Sequence, residues 1–512
     1  MANVAAGRNG GNYVAVLNLI RFGVGLLVIC SGALAEPIVT EGGPVAGVQE
    51  ASARVFKGIP YAAPPVGDLR WRAPQPAPAW TEALSADKFS PVCPQTGSYP
   101  PEWPVDATSE DCLTLNVWVP PHQAAEKLPV MVWIYGGALE NGASSIALYF
   151  GDRLAKRGVI VVSFNYRVGV LGFLAHPELS AESAHRGSGN YGLLDQIAAL
   201  NWIHRNIAAF GGDPGKVTIF GQSSGSISVS TLVASPLAKG LFQRAIGESG
   251  GLFEPVELDP SFTPKGAEQA GERFAQRAGA KTLADLRSLP VDRLVNTPFA
   301  PQFVVDGFAL LKSPYDAYRA GEQNAVDLLV GTNSDEGQVF LGKTAVTVSN
   351  FKSVLAEHFP SLLITLIGPH PGTNDSQARA SAAAFETDMR FRWDMWTWAR
   401  LASGARQRKA FLYNFSRVPP FAEGDRYFGL GATHGMEMPY VFDHLDLQKV
   451  DWKAKDRELA SIIPAYWTNF AITGDPNGAG LPNWPQFQPS QSEVMVLGDE
   501  IGPRAIARTN QL

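Results

Sequence analysis

Ser223 lies at the centre of the stretch Gly221-Gln222-Ser223-Ser224-Gly225, directly after the apolar run Val217–Phe220. A strand that turns sharply into a helix at a serine between two glycines exposes the hydroxyl, and the helix N-terminus favours developing negative charge. Ser224 and Ser226 are neighbouring serines, but only Ser223 is central between the glycines. The pattern predicts nucleophilic catalysis at Ser223.

A serine hydroxyl is a poor nucleophile at neutral pH and needs an adjacent general base. In one known arrangement the acid and the histidine follow the serine along the chain. His434 lies in a glycine-rich loop, residues 431–435, after the apolar run Ala410–Phe415, which favours it as the base. Three other histidines also follow the serine and remain alternatives: His358, His370 and His444.

The third member of such a triad is an acid that orients the imidazole. The apolar run Asp327–Val330 leads into a short turn that contains Asp335 and Glu336. Both carboxyl groups follow the end of a predicted strand, and spacing alone does not choose between them. Both could also simply cap the turn.

An oxyanion intermediate needs backbone N–H donors aimed at its oxygen. One is expected from Ser224, the residue after the nucleophile. Gly136-Gly137-Ala138 follows the apolar run Val130–Tyr135 and lets backbone approach a substrate closely. A plain turn at these glycines is the alternative.

The elements that must position these residues alternate between strand and helix. The helical repeat at residues 191–210 lies between short apolar runs, which read as buried strands at Val130–Tyr135, Val159–Phe164, Val217–Phe220, Asp327–Val330, Ala410–Phe415 and Val494–Leu497. Such alternation predicts an α/β fold with a large, mostly parallel central sheet flanked by helices. Sites in these sheets form beyond the carboxyl ends of the strands.

Composition bounds the partners of the chain. Its 512 residues carry a formal net charge of −6, which gives no basic footprint for nucleic acid.

Residues 1–35 contain only two charges and the apolar run Phe22–Cys30, followed by Ala33-Leu34-Ala35. This layout predicts a signal peptide cleaved before Glu36, and hence a secreted or periplasmic protein without stable membrane insertion. A membrane anchor is the alternative, but the run is too short to span a bilayer.

Two cysteines, Cys93 and Cys112, remain after the predicted cleavage. In an oxidising compartment a pair most simply forms one disulfide, the alternative being two buried thiols. The sequence shows no cysteine or histidine spacing typical of a metal site. We therefore expect neither metal nor cofactor.

The assembled motifs resemble the type-B carboxylesterase and cholinesterase family of the α/β-hydrolase fold. The resemblance covers nearly the whole of residues 36–512, which it implies form one hydrolase domain with cap-like insertions. It rests on ordered motifs at residues 56–62, 64–70, 110–117, 165–167, 172–174, 189–196, 210–214 and 467–477.

The resemblance implies roles that spacing left open. It makes Glu336 the acid and His434 the base, with Ser249 and Glu437 as supporting partners. It implies that Gly137 and Ala138 donate to the oxyanion together with Ser224, and that Cys93 pairs with Cys112.

Four residues are predicted, by the same resemblance, to line the substrate pocket. Gln222 stands where relatives usually carry Glu, which weakens the case for cationic substrates. Trp103 lies near a choline-binding position, although its spacing to Cys112 is one residue short. Phe299 and Phe303 match the region of the acyl pocket.

The implied function is a secreted serine carboxylesterase that hydrolyses small-molecule esters through an acyl-enzyme on Ser223. An interfacial lipase and a non-catalytic binding protein are the alternatives. The sequence leaves the oligomeric state open.

Overall fold

The computed structural model describes residues 36–97, 107–121, 126–253, 259–360, 370–404, 408–490 and 493–505. Its strands are β1 Ile38–Val39, β2 Pro44–Ala46, β3 Val48–Gln49, β4 Arg54–Pro60, β5 Leu84–Ser85, β6 Thr114–Val119, β7 Leu128–Ile134, β8 Ile160–Phe164, β9 Gly212–Gln222, β10 Arg244–Glu248, β11 Asp327–Asn333, β12 Ala410–Phe415, β13 Glu493–Leu497 and β14 Ile501–Ala505. The predicted signal peptide, residues 1–35, lies outside the described residues.

The described α-helices lie in the connections between β7 and β13. They are α1 Asp152–Ala155, α2 Gly169–Phe173, α3 Pro177–Glu182, α4 Tyr191–Asn206, α5 Ser224–Ala234, α6 Pro264–Ala278, α7 Leu283–Ser288, α8 Val291–Val295, α9 Pro314–Arg319, α10 Gly337–Leu341, α11 Phe351–His358, α12 Asp375–Thr387, α13 Trp393–Ser403, α14 Met438–Val441 and α15 Ala454–Thr473. A π-helical segment, Asp388–Arg392, joins α12 to α13.

Eleven of the described strands form one sheet in the order β14-β13-β12-β11-β10-β9-β7-β8-β6-β4-β3. The strands from β13 to β8 run parallel to one another, while the pairs outside this block are antiparallel. The predicted α/β-hydrolase fold with a large central sheet is thus confirmed as a mixed sheet with a parallel centre. Strands β1, β2 and β5 form a separate small sheet.

The central strands are apolar because they are covered on both faces. Every residue of β8 is buried, as is every residue of β7 after Leu128, and continuous apolar runs of this kind suit a parallel sheet between two helix layers. One large cluster of buried side chains extends along the whole sheet. The carboxyl ends of β9, β10, β11 and β12 therefore lie side by side in a rigid frame.

Two smaller apolar clusters belong to the segments inserted between strands. Helices α6, α7 and α8 pack with α2 around Phe274, Leu286 and Leu294. Helices α10, α11 and α12 pack around Phe351, Leu355 and other buried side chains. These segments are the cap-like insertions, and each has apolar packing of its own.

Candidate active site

Ser223 lies in the turn between β9 and α5, with backbone angles φ 57° and ψ −128°. Left-handed backbone at a residue with a side chain costs about 1–3 kcal/mol and persists only where the surroundings enforce it. Here the amide of Ser223 donates to the carbonyl of Glu248 at 2.8 Å. A Cβ at Gly225 would lie 2.1 Å from the carbonyl oxygen of Ile134, so only glycine fits beside the turn.

Glu336 follows β11 and is fully buried. Its Oε1 accepts hydrogen bonds from the Ser249 hydroxyl at 2.5 Å and from the amide of Asn333 at 2.7 Å. Its Oε2 lies 2.6 Å from Nδ1 of His434. Both oxygens therefore have partners, which hold the carboxylate in one orientation against the imidazole.

Asp335 points elsewhere. Its amide donates to the carbonyl of Ala432 at 3.0 Å, and its Oδ2 accepts from the amide of Ala432 at 2.9 Å. Asp335 thus fixes the loop that precedes His434, whereas Glu336 contacts the ring. The sequence placed both carboxyl groups at this strand end without separating these two roles.

His434 lies beside the turn that carries Ser223. Its Nδ1 faces the Glu336 carboxylate, so the ring carries a proton there and a lone pair on Nε2, as judged from these partners. Its Nε2 lies 3.2 Å from the side-chain nitrogen of Gln222, the residue before Ser223. The Ser223 hydroxyl has no hydrogen-bond partner among the residues that the structure describes.

Two aromatic rings lie against this imidazole. Phe391, in the π-helical segment, stacks on His434 with ring centres 4.6 Å apart, and Phe340 of α10 lies 5.4 Å away. Neither was predicted from sequence, because both come from insertions whose placement depends on tertiary packing. A bulky residue four positions after Glu336, on the first turn of a helix, was the one available signal for Phe340.

The three other candidate histidines lie in other environments. His358 is paired with Glu386 of α12. His444 lies between the carbonyl of Leu148 and the carboxylate of Asp152. His370 is exposed, and its ring accepts from the amide of Gly372.

A group of buried polar side chains lies behind Glu336. Glu437 accepts a hydrogen bond from the Asn333 side chain, and burial together with the charge of Glu336 raises the pKa of Glu437 to about 7. Glu248 accepts from the indole of Trp467 at 2.8 Å, and burial raises the pKa of Glu248 well above its ordinary value. Because both pKa values are raised, these two carboxyl groups place less negative charge behind Glu336 than two ordinary carboxylates would.

The predicted oxyanion residues come from two segments. Gly137 and Ala138 form the loop after β7, with φ values of 112° and 56°, and Ser224 is the first residue of α5. Amides in a first helical turn have no partner within the helix. Within the described part of the chain, the amides of Gly137 and Ala138 also donate to no other atom.

The pocket predictions have mixed placements. Gln222 contacts His434, as given above. Phe303 is buried against Phe173 with ring centres 5.5 Å apart, and Phe299 packs on Phe274 at 5.6 Å; their acyl-pocket role stays a prediction. Trp103 lies outside the described residues.

The two cysteines are bonded to each other, Cys93 to Cys112. In the ranges that the structure describes, no group of three or more His, Cys, Asp or Glu side chains could hold a metal ion. Nor does any helix in those ranges have the length and apolar character needed to cross a bilayer.

Comparison with known proteins adds to this geometry. The sequence model of the Carboxylesterase family matches residues 35–511. The chain is 37% identical to a fumonisin B1 esterase of Sphingopyxis macrogoltabida, over 90% of this chain and 86% of that protein. It is 34% identical to a para-nitrobenzyl esterase of Bacillus subtilis, over 91% of this chain and 95% of that protein.

The fold has close counterparts among solved structures. A structure of a PNB esterase superposes with a TM-score of 0.81 at 32% identity, and the match covers 93% of this chain and 98% of that one. Sequence and structure comparisons therefore agree over almost the same length of chain.

Proposed function

The chain belongs to the carboxylesterase family of serine hydrolases, which act on ester bonds, and from this premise we propose that it hydrolyses carboxylic esters through an acyl-enzyme on Ser223. The observation that carries the proposal is the contact of the buried Glu336 carboxylate with Nδ1 of His434, beside the strained turn at Ser223. An acid, a base and a nucleophile in that order are what two-step acyl transfer requires.

In the first step the Ser223 oxygen attacks the ester carbonyl, and its proton passes to Nε2 of His434. The carbonyl oxygen becomes an oxyanion that accepts from the amides of Gly137, Ala138 and Ser224. Collapse breaks the bond to the alcohol, which takes the proton from Nε2, and leaves an acyl ester on Ser223.

Water completes the cycle by the same route. It gives a proton to Nε2 of His434 and adds to the acyl carbonyl. The second tetrahedral intermediate then releases the carboxylic acid as Ser223 recovers its proton. The carboxylate of Glu336, held by Ser249 and the amide of Asn333, orients the ring and stabilises the imidazolium that forms twice.

A fluorophosphonate probe tests the nucleophile, because it phosphonylates only an activated serine. We expect the wild-type protein to be labelled and to hydrolyse p-nitrophenyl acetate. We expect Ser223→Ala to be neither labelled nor hydrolytically active. Ser226→Ala is the matched control, since Ser226 is a buried serine of the adjoining helix α5 whose hydroxyl donates to the carbonyl of Gly250. Continued labelling of Ser223→Ala would transfer the role to another residue.

For the substrate we propose small-molecule carboxylic esters with an uncharged alcohol part. The neutral side chain of Gln222 beside His434 supports this, because no carboxylate stands there to attract a cation. A screen of soluble esters varied in acyl and alcohol size, with an emulsified triglyceride added, tests it. Preference for cationic choline esters contradicts the proposal, and a rate jump at the emulsion surface favours the lipase alternative.

We also propose that the protein is exported and acts in the periplasm or outside the cell. The apolar run and Ala-Leu-Ala sequence before Glu36 support export, and so does the disulfide, because such bonds persist in oxidising compartments.

A further inference from the structure

The side chain of Ser224, and not only its amide, contacts the oxyanion loop, which we define as residues 136–141. Ser224 is 3% exposed, and its Oγ accepts a hydrogen bond of 3.1 Å from the amide of Leu139. The partners lie 85 positions apart in sequence. The bond therefore joins the loop that carries two oxyanion donors to the helix that carries the third.

The oxyanion loop has a conformation that needs such support. Ala138 and Leu139 have φ values of 56° and 60°, so two consecutive residues with side chains lie in the left-handed region. The carbonyl of Gly137 accepts from the amides of Glu140 and Asn141, which closes the turn on itself. The amide of Leu139 is the group that the loop directs at the α5 N-terminus.

The geometry of the oxyanion hole depends on this junction. Donors act on a transition state only if they converge on one oxygen to within about half an ångström. The amides of Gly137 and Ala138 move with the loop, whereas the amide of Ser224 moves with α5. A bond from Leu139 to Ser224 fixes the distance between the two groups of donors.

We propose that Ser224 is a positioning residue, whose hydroxyl oxygen holds the oxyanion loop in register with the turn at Ser223. The inference rests on the proposed ester hydrolysis and goes beyond the donor role of the Ser224 amide. Because the site is buried, removing the hydroxyl leaves the Leu139 amide without a partner. The loop then relaxes, so the three amides bind the oxyanion of the transition state less tightly than in the wild type. Binding of the ground-state ester changes less.

Ser224→Ala tests this, because it keeps the amide and removes only the hydroxyl. We expect kcat for p-nitrophenyl acetate to fall about tenfold, less than the 10²–10³ typical of losing a whole donor, while KM changes less than about twofold. The Ki of a trifluoromethyl ketone, whose adduct with Ser223 places an oxyanion in the hole, should rise in proportion to the fall in kcat.

Two further variants separate positioning from general destabilisation. Ser224→Cys keeps a side chain of similar shape with a weaker acceptor, and we expect a smaller fall in kcat and a smaller rise in Ki. Ser230→Ala is the matched control, since Ser230 is buried in the same helix and its hydroxyl donates to Ile227 at 2.8 Å. We expect its kcat and Ki to equal those of the wild type.

The inference is overturned if Ser224→Ala and Ser224→Cys both keep kcat within twofold of the wild type. It is equally overturned if kcat falls while the Ki of the ketone stays constant, because the loss then has another origin. A wild-type protein without esterase activity contradicts the proposed function instead, so the two failures are distinct. Thermal unfolding of each variant shows whether it is folded.

Discussion

At the scale of single residues, the imidazole of His434 has a different partner on each nitrogen. The buried carboxylate of Glu336 faces Nδ1 at 2.6 Å, and the neutral amide of Gln222 faces Nε2 at 3.2 Å. The acid fixes the orientation of the ring, while the amide adds a hydrogen-bond donor but no charge where the proton must arrive. The side chain of residue 222 therefore decides whether a charge lies beside Nε2.

Gln222→Glu tests that dependence with almost no change of shape. A carboxylate beside Nε2 stabilises the imidazolium. At acidic pH a larger fraction of the protein molecules therefore carries a protonated, inactive His434. We expect the acid limb of the kcat/KM profile to move to higher pH by about one unit. Rates measured between about pH 5 and 9 show the shift.

The control for that profile is Gln338→Glu, which adds the same charge on α10, two residues beyond Glu336. No described contact joins the Gln338 side chain to His434, and its acid limb should match that of the wild type. An acid limb that stays in place for Gln222→Glu contradicts the argument.

Residue roles at the end of β11 show where sequence reasoning stopped. Asp335 and Glu336 are adjacent carboxyl groups after the same strand, and the sequence contains no spacing that separates them. The structure separates them because the backbone after Asn333 turns, so that Glu336 lies against Ser249 and His434 while Asp335 meets Ala432. That direction depends on tertiary packing against the His434 loop.

At the scale of elements, most of the central strands were predictable, but the central strand β10 and the strands near the edges were not. The run Ala410–Phe415 was predicted with the bounds it has in the structure, because a strand buried on both faces consists almost entirely of apolar residues, here with Asn414 as the exception. The run Val217–Phe220 was predicted too short. The strand extends from Gly212 to Gln222, because Gly212 and Gly221 also pair with β7 and Gln222 pairs with β10, although these residues carry no apolar signal.

Two antiparallel strands also escaped the prediction: β14 at one edge of the sheet, and β4 next to the short edge strand β3. Residues 54–60 contain two basic side chains and a glycine, and residues 501–505 contain a proline and an arginine. Strands at or near a sheet edge commonly carry such residues, which weaken any pattern of alternation.

An ion pair joins the end of β8 to helix α4. The guanidinium of Arg167 contacts both carboxylate oxygens of Asp195 at 2.7 and 2.8 Å, and both side chains are buried. Burial raises the pKa of Asp195, and the charge of Arg167 opposes that rise. The pair positions the helix that packs against α5.

Arg167→Met tests the energetic role of the pair. It leaves the Asp195 carboxylate buried without its partner, so we expect the free energy of unfolding to fall by about 3–5 kcal/mol in urea titrations. Arg205→Met is the control, because the Arg205–Glu41 pair is exposed and should contribute less than about 1 kcal/mol. Equal losses in the two variants would falsify the distinction between them.

At the scale of the whole molecule, the site is assembled from positions that are far apart in sequence. The oxyanion loop, Ser223, Glu336 and His434 follow four different strands, and the order of the sheet brings their ends together. This assembly could be predicted as a rule for the carboxyl ends of strands. The two rings beside His434 could not, because they come from insertions.

The proposed export of the chain implies a mature protein with a defined first residue and a defined mass. We expect protein recovered from the periplasm or medium to begin at Glu36 and to carry the Cys93–Cys112 bond. Its intact mass should equal that of residues 36–512 less two hydrogen atoms, and reduction with alkylation should restore both thiols. A mass that includes residues 1–35 would instead favour the membrane anchor.

The separate packing of the α10–α12 segment has a consequence for how the enzyme changes over time. Its side chains form their own apolar cluster, yet Phe340 of α10 and Phe391, directly after α12, reach the ring of His434. Substitutions inside that small cluster can tilt or withdraw those rings while the sheet that carries Ser223 and Glu336 stays as it is. Substitutions in the α10–α12 segment, whether they arise in nature or in the laboratory, can therefore change the preference for one ester over another without loss of the catalytic frame.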